Sequence, residues 1–460
     1  MATTIEQKPL YNPLPVGQDI IFTLSNSTIV TTYYNVKFVA EVFISGGVPP
    51  NTNVNTDLIG TFKAAPNNAG VGMFDFSAVV ENYVKADNLA AIGSYYKTSI
   101  VTATSQPVPP LHLIDKYSKN NHAIKWLTIK FSVEGSTTLT GIPTIIAGEG
   151  VNSIDYRIFN GYLKHTDQLE IFGNDFGYDT TGFQLINSTS SFLTNAPTTQ
   201  YANVEDYGTM GFIPVNANLS YITCSYKDSS GGSLGFDQVM YGTTGLHPSS
   251  TAGQQLHYFG CYPANLQNWS ATFAAAIASG ISYYTVQAFD NTATAISQLY
   301  TINVNCPDLK NYEPIRIAWL NQWGAWDYYT FTKKSTRTTS TQGSTYTQLE
   351  GTWNESAFRL NGYRGGKKAF RVNATEKIKM NTDFVNEAES EWFEELINSP
   401  EVYLLTGYGS SGAAFDMLNT YVTPVRLTTS SYTRKTIAND RLMQYTFEVE
   451  KSKTLRTQAV

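Results

Sequence analysis

The sequence predicts a mainly β, multidomain protein of β-sandwich- or barrel-like domains, ending in an α+β domain with one amphipathic helix. Three observations predict it. Apolar and polar residues alternate at period two through much of the chain. Gly, Asn, Ser and Asp punctuate these runs at short intervals, as turns do in sandwiches and barrels. Charged residues are only 15% of the chain, against roughly 25% in ordinary soluble proteins. The surface must therefore be covered by Thr, Ser, Asn, Gly and Tyr. The 30 tyrosines suit both strands and subunit interfaces. A length of 460 residues suggests about three domains.

Residues 1–136 read as a first β-rich domain behind an extended N-terminal arm. In 36–44, Val36, Phe38, Ala40, Val42 and Ile44 line one side, and Lys37, Val39, Glu41 and Phe43 the other. That pattern is a strand with one deeply buried face and one mixed face. Residues 20–24 and 125–133 look similar. Ser77 is placed to cap a short helix over AVVENYVKA, and Gln106–Pro110 is a stiff connector.

Residues 137–310 alternate short strands with turns and read as a middle, sandwich-like domain. A strand ending at Phe289, a turn at Asp290-Asn291 and a strand to Val304 form a hairpin, and 269–280 a short helix stopped by Gly280. Composition shifts near 310: Arg157 is the only arginine before Arg316, and the acidic excess lies in the first 310 residues.

Residues 311–460 form the third region. IRIAWL and WDYYTFT read as strands, and the Thr/Ser-rich stretch 335–347 as exposed. A helix over about 386–398 has Asn386 as N-cap and Glu389 as the capping-box acid. Ala388, Trp392 and Leu396, with Phe393 and Ile397 beside them, make its apolar stripe; Glu387, Glu389, Glu391, Glu394 and Glu395 line its other faces. Strands 401–406, YVTPVRLTT and LMQYTFEVE follow, then a polar C-terminal arm. There is no short repeat and no heptad run.

The net charge of −6 gives no case for specific nucleic-acid binding. Cys224, Cys261 and Cys306 follow no metal or redox spacing and read as separate buried thiols in a reducing compartment. The N-terminus has no secretory h-region, and no apolar run is long enough for a membrane span.

Two motif matches fail their context. Gly407–Gly412 fits G-x-G-x-x-G, but the segment after it is too short for the required helix and meets Pro424. Gly231–Gly235 fits G-x-S-x-G around Ser233, yet FDQVMYG reads as a returning strand rather than a helix. His112, His122, His165, His247 and His257 form no ligand pair. Glu170, Asp175 and Asp179 read as loop residues. No catalytic, cofactor-binding or metal-ligating residue is assigned, no cofactor is expected, and the chain reads as a non-enzyme. A basic cluster, Arg359, Arg364, Lys367, Lys368, Arg371, Lys377 and Lys379, surrounds Gly365-Gly366. On a hairpin it would be a solvated ridge or a contact for an acidic neighbouring subunit.

The runs PIRIAWLNQWGAWDYYTFTKKSTR, FRVNATEKIKMNTDFVNEAESEWFEELINSPEVYLL and YVTPVRLTTSSYTRKTIANDRLMQYTFEVEKS, with YNPLPVGQDIIFTLSN near the start, resemble virion structural proteins of tailed bacteriophages, of the kind found in marine and Bacteroidota phages. The resemblance touches both ends of the chain and brings no catalytic motif. It implies a β-rich tail, baseplate or neck subunit. Such a subunit is made in the host cytoplasm, located in the virion, and partnered by itself in a homo-oligomeric ring and by other virion proteins. Two other readings stay open. Trp323, Trp326, Tyr328 and Tyr329 could stack on sugars in a receptor- or carbohydrate-binding adhesin, and Ser233 could serve a cell-surface polymer hydrolase.

Overall fold

A computed structural model describes residues 2–9, 12–84, 111, 116–120, 123–162, 192–214, 219–240, 255–305, 312–352, 355–407, 421–434 and 443–456. The chain forms two compact units, one built mainly from Met1–Cys306 and Leu320–Asp327, the other from Pro307–Trp319, Tyr328–Gly412 and Asp416–Val460. The fold is mainly β, in several separate sheets.

The first unit begins with a sandwich. A three-stranded sheet, Thr4–Gln7, Ile21–Ser25 and Val71–Asp75, faces a seven-stranded one. The larger sheet runs in the order Leu14–Pro15, Tyr156–Phe159, Ile124–Ser136, Tyr34–Ser45, Leu58–Ala64. Phe22 bridges the two inner faces, its ring 5.6 Å from Phe131 and 6.0 Å from Tyr156. Phe38, Ala40 and Val42 are sealed in this core, while Val39 and Phe43 are buried on the opposite face of the same strand. That explains why the second side of 36–44 is only partly polar. Glu41 meets Lys130 of the adjacent strand at 3.4 Å.

The sheet runs past residue 136. Thr144–Ile145, Val151–Asn152 and Tyr156–Phe159 all pair with Ile124–Ser136. These strands are too short to carry a readable period. Ser77 is not the cap. Asp75 Oδ1 accepts the Ser77 N–H at 3.0 Å and its hydroxyl at 2.7 Å, an Asx turn. The helix is only Ser77–Val80, followed by a 3-10 turn at Glu81–Tyr83.

The middle of the chain folds as a five-stranded sheet in the order Thr199–Asn203, Tyr300–Asn305, Tyr283–Phe289, Tyr221–Lys227, Ser233–Met240. Its first pair is parallel and the rest antiparallel. Alternate residues Ile222, Cys224 and Tyr226 face Tyr284, Val286 and Ala288, all fully buried. The helix expected at 269–280 is Ala271–Ala278. It is capped by Ser270, whose Oγ accepts the Phe273 N–H at 2.8 Å, and preceded by a second helix, Pro263–Trp269. Phe273 packs edge-on to Tyr226 and Tyr284, at 5.1 and 5.9 Å. The turn after Phe289 is wider than a two-residue hairpin. Asp290 Oδ1 gathers the N–H groups of Thr292 and Thr294, each at 2.8 Å, and the return strand starts at Tyr300. A small sheet, Met210–Phe212, Leu256–Phe259 and Tyr117–Asn120, draws a segment from before residue 136 among middle strands.

The second unit is one seven-stranded sheet in the order Trp326–Phe331, Ile315–Leu320, Val402–Leu405, Val422–Leu427, Thr446–Lys451, Gly366–Asn381, Thr336–Gln348. Helix Glu387–Asn398 carries the expected capping box: the Glu389 N–H donates to Asn386 Oδ1 at 2.8 Å, and the Asn386 N–H to Glu389 Oε2 at 2.9 Å. Its buried face is Ser390, Trp392, Phe393, Glu395 and Leu396. Ala388 is exposed, Ile397 half-buried, and Glu395 turned inward. The contact arc is centred nearer Phe393, whose ring lies 4.9 Å from Tyr329 and 5.5 Å from Phe447. Among the described residues no helix is long and apolar enough to cross a membrane.

Candidate functional site

Among the described residues, the sequence motifs do not converge on a reaction centre. Ser233 opens the second strand of the hairpin formed with Tyr221–Lys227, and is exposed. The turn before it is held by Asp228, whose Oδ1 accepts from the Ser230 and Gly232 N–H groups at 2.8 and 2.7 Å. With those bonds and the Ser230 hydroxyl, this carboxyl is held below its ordinary range. A strand follows Ser233, so the G-x-S-x-G match lacks the helix that a nucleophile elbow needs. His257 is fully buried, its Nδ1 2.6 Å from the Tyr117 hydroxyl across the small sheet. His112, His122, His165 and His247, the acids Glu170, Asp175 and Asp179, and residues 408–412 of the glycine motif lie outside the described residues.

The aromatic group proposed for sugar stacking is spent on packing. Trp326 and Tyr328 are 1% and 3% exposed. Tyr329 is wedged against Phe331 and Phe393, both 4.9 Å away, and burial pushes its hydroxyl pKa far up. Trp323 is half-buried and donates from Nε1 to Asn195 Oδ1 at 2.9 Å.

What stands out instead is the hairpin Thr336–Gln348/Gly366–Asn381. Its two strands pair along their whole length, from Thr336 opposite Lys379 to Gln348 opposite Gly366. The sheet supports only its base. Strand Thr446–Lys451 pairs with Lys377–Asn381, and one more bridge joins Ala374 to Leu455 through N–H···O bonds of 2.9 and 2.8 Å. Residues 366–373 and their partners continue as a two-stranded ribbon, about 25 Å long at roughly 3.3 Å per residue. No residue of Thr336–Gln348 is buried.

The base is pinned by charge. Arg337 bonds Glu313 through Nη2 at 2.5 Å and Glu376 through Nη1 at 2.7 Å, and Lys451 reaches Glu376 at 2.7 Å. Lys451, with Arg337 beyond it, holds the Glu376 carboxyl below its ordinary range. The basic cluster divides accordingly. Lys377 pairs with Glu448 at 3.4 Å and, like Lys379, belongs to the base. Arg359, Arg364, Lys367, Lys368 and Arg371 lie in the connecting loop and outer ribbon, with no ion pair to another described residue. Exposed apolar side chains accompany them: Leu349, Phe358, Leu360, Tyr363, Phe370 and Val372.

A lone two-stranded ribbon is marginal in water. Its outer strand, TRTTSTQGSTYTQ, has no proline and no lysine. Those are the features that usually keep a free edge from pairing with another chain. Chemically, this arm offers a row of backbone donors and acceptors unpaired with any other described strand, a basic flank and exposed apolar groups, which is the equipment for strand addition. The sequence read the exposed 335–347 stretch and the basic turn as separate features. The loop between the strands hides their pairing from any local pattern.

No protein-family model and no curated protein matches the chain. Among solved structures it is similar to trypsin-activated alpha-2-macroglobulin from Escherichia coli, at 6% identity over 97% of this chain and 21% of that one, with a TM-score of 0.17. It is similar to Salmonella alpha-2-macroglobulin reacted with methylamine, at 10% identity over 81% and 21%, with a TM-score of 0.18. The native conformation of the Escherichia coli protein gives 9% identity over 82% and 22%, with a TM-score of 0.19. The chain spans about a fifth of the length of these proteins. Likeness at this level transfers nothing to it.

Proposed function

We propose that the chain is a non-enzymatic structural subunit of a tailed-phage virion, one copy in a homo-oligomeric ring of the tail, baseplate or neck. In this reading the outer strand of the long hairpin adds to the neighbouring copy. The phage assignment is supported by the resemblance carried by the two ends of the sequence. The assembly role is supported by a single observation: a ribbon with a wholly unburied outer strand whose far edge pairs with no other described strand. A second copy of the chain is the occupant that fits. The outer ribbon is basic and without internal ion pairs, while the acidic excess of the chain lies in its first 310 residues, so opposite charges meet when copies associate.

Sedimentation velocity of the full chain and of the double variant Thr341→Lys/Thr345→Lys tests this. Both positions are exposed on the outer strand, so lysines there oppose pairing without touching a core. The expected result is a defined oligomer for the parent and a monomer with unchanged circular dichroism for the variant. A parent chain that is monomeric at every concentration, or that mass spectrometry never finds in purified particles, ends the proposal.

A further inference from the structure

A neighbouring copy must offer the long hairpin an edge to land on, and the charge of the chain narrows the choice. Residues 1–162 hold 11 acidic and 10 basic side chains, while 163–305 hold nine acidic and two basic. Nearly all of the acidic excess therefore belongs to the stretch that supplies the five-stranded sheet. One edge of that sheet is Ser233–Met240, which pairs with Tyr221–Lys227 and with no other described strand. Its sequence, SLGFDQVM, has no proline, lysine or arginine to block a further strand. Its one charge, Asp237, is spent on its own fold, accepting from the Tyr226 hydroxyl at 2.7 Å and from the Ser270 hydroxyl. Ser233 and Gln238 are exposed, and Phe236 is 60% exposed. Asp228 lies in the turn at one end of the strand, and Asp290 follows Phe289 at the other, where Met240, Tyr221 and Phe289 align. The competing edges are poorer. Leu58–Ala64 carries Lys63, and Thr199–Asn203 is only five residues long.

We propose that the outer strand of the long hairpin of one copy adds to the outer edge of Ser233–Met240 in the next copy, an inference that rests on the assembly reading above. The lengths match. Residues 342–348 of the outer strand, opposite 366–373, extend past the supported base, and the receiving strand has eight residues. Backbone hydrogen bonds hold the added strand. Charge sets which edge is chosen: residues 359–372 bring five cations and no acid to the acidic part of the neighbour. Phe236 on the receiving edge and Phe370 on the arm are both exposed apolar surface for association to cover. Donor and acceptor are different surfaces of the same chain. The contact is therefore heterologous, and its repetition gives a ring where the rotation closes.

The full chain is made with the photoreactive p-benzoylphenylalanine in place of Phe236, one exposed aromatic for another. It is mixed with an equal amount of heavy-isotope-labelled parent chain, irradiated and peptide-mapped. The expected product joins the probe peptide to a heavy peptide within residues 336–372. Gln238→Lys, exposed on the same edge, should raise the self-dissociation constant about tenfold. Thr199→Lys, exposed on the opposite edge of the sheet, should leave it unchanged, and both variants should keep the parent circular dichroism. An oligomeric chain whose probe links to another part of the heavy chain, or to none of it, overturns this landing site and leaves the assembly reading standing. So does an oligomer that Gln238→Lys leaves intact. A parent chain that is monomeric at every concentration overturns both. The crosslink map decides the matter even where Gln238→Lys fails to fold.

Discussion

Protonation of Glu376 should loosen the base of the long hairpin. This carboxylate takes a bond from Lys451 and another from Arg337, and its pKa is lowered. A carboxylate depressed in the folded state contributes stability above its unfolded pKa, about 4.3, and loses it as pH falls through the folded value. Glu376→Gln should therefore cost roughly 0.5–1 kcal/mol at pH 7, since its partners are partly wet. By pH 3 the difference should shrink, as followed by urea unfolding at both pH values. An equal cost at the two would contradict the assignment. At this scale the sequence was partly readable. The Asn386–Glu389 capping pair follows from spacing alone, and the structure has it. The Arg157 environment does not: burial lowers its pKa to about 10, and its Nη1 donates to the distant Pro214 carbonyl at 2.8 Å. The inward turn of Glu395 was equally hidden, because a helical period fixes a stripe but not which way its centre faces.

Among elements, helix Glu387–Asn398 depends on a single capping side chain. Removing the Asn386 side chain leaves an N-terminal N–H without its partner. Asn386→Ala should cost about 1 kcal/mol and Asn386→Asp almost nothing, measured by denaturant unfolding of the full chain. A loss as large for Asp as for Ala would show that the cap is not the cause. Strands with six or more alternating residues, such as Tyr34–Ser45 and Tyr221–Lys227, were legible because each carries several periods. Val151–Asn152 was not, since two residues carry none. The long hairpin fell between these cases. Its basic residues and its exposed Thr/Ser stretch were both visible, but Thr336 faces Lys379, and no local pattern reports a partner that far along the chain.

For the whole molecule, the proposed ring makes a demand on ionic strength. Raising salt from about 0.1 to 1 M shortens the Debye length from about 10 to about 3 Å. Self-association through the basic arm should weaken about tenfold in dissociation constant, read by sedimentation equilibrium. Insensitivity to salt would leave strand pairing without its electrostatic component. The mainly β class was legible at this scale from composition and alternation, whereas the order of strands was not, because it is set by pairings distant in sequence. One such pairing governs how the protein is made. Thr199–Asn203 lies parallel to Tyr300–Asn305, and Tyr117–Asn120 is paired by Leu256–Phe259. A ribosome must therefore deliver more than half of the chain, through Phe259, before the small sheet can close, and about two thirds, through Asn305, before the five-stranded one can. Until then Tyr117–Asn120 and Thr199–Asn203 wait without their partners, the high-contact-order situation in which nascent chains fold slowly and stick to one another. A molecule proposed to join its own kind through a free edge must, during synthesis, keep its unfinished edges apart.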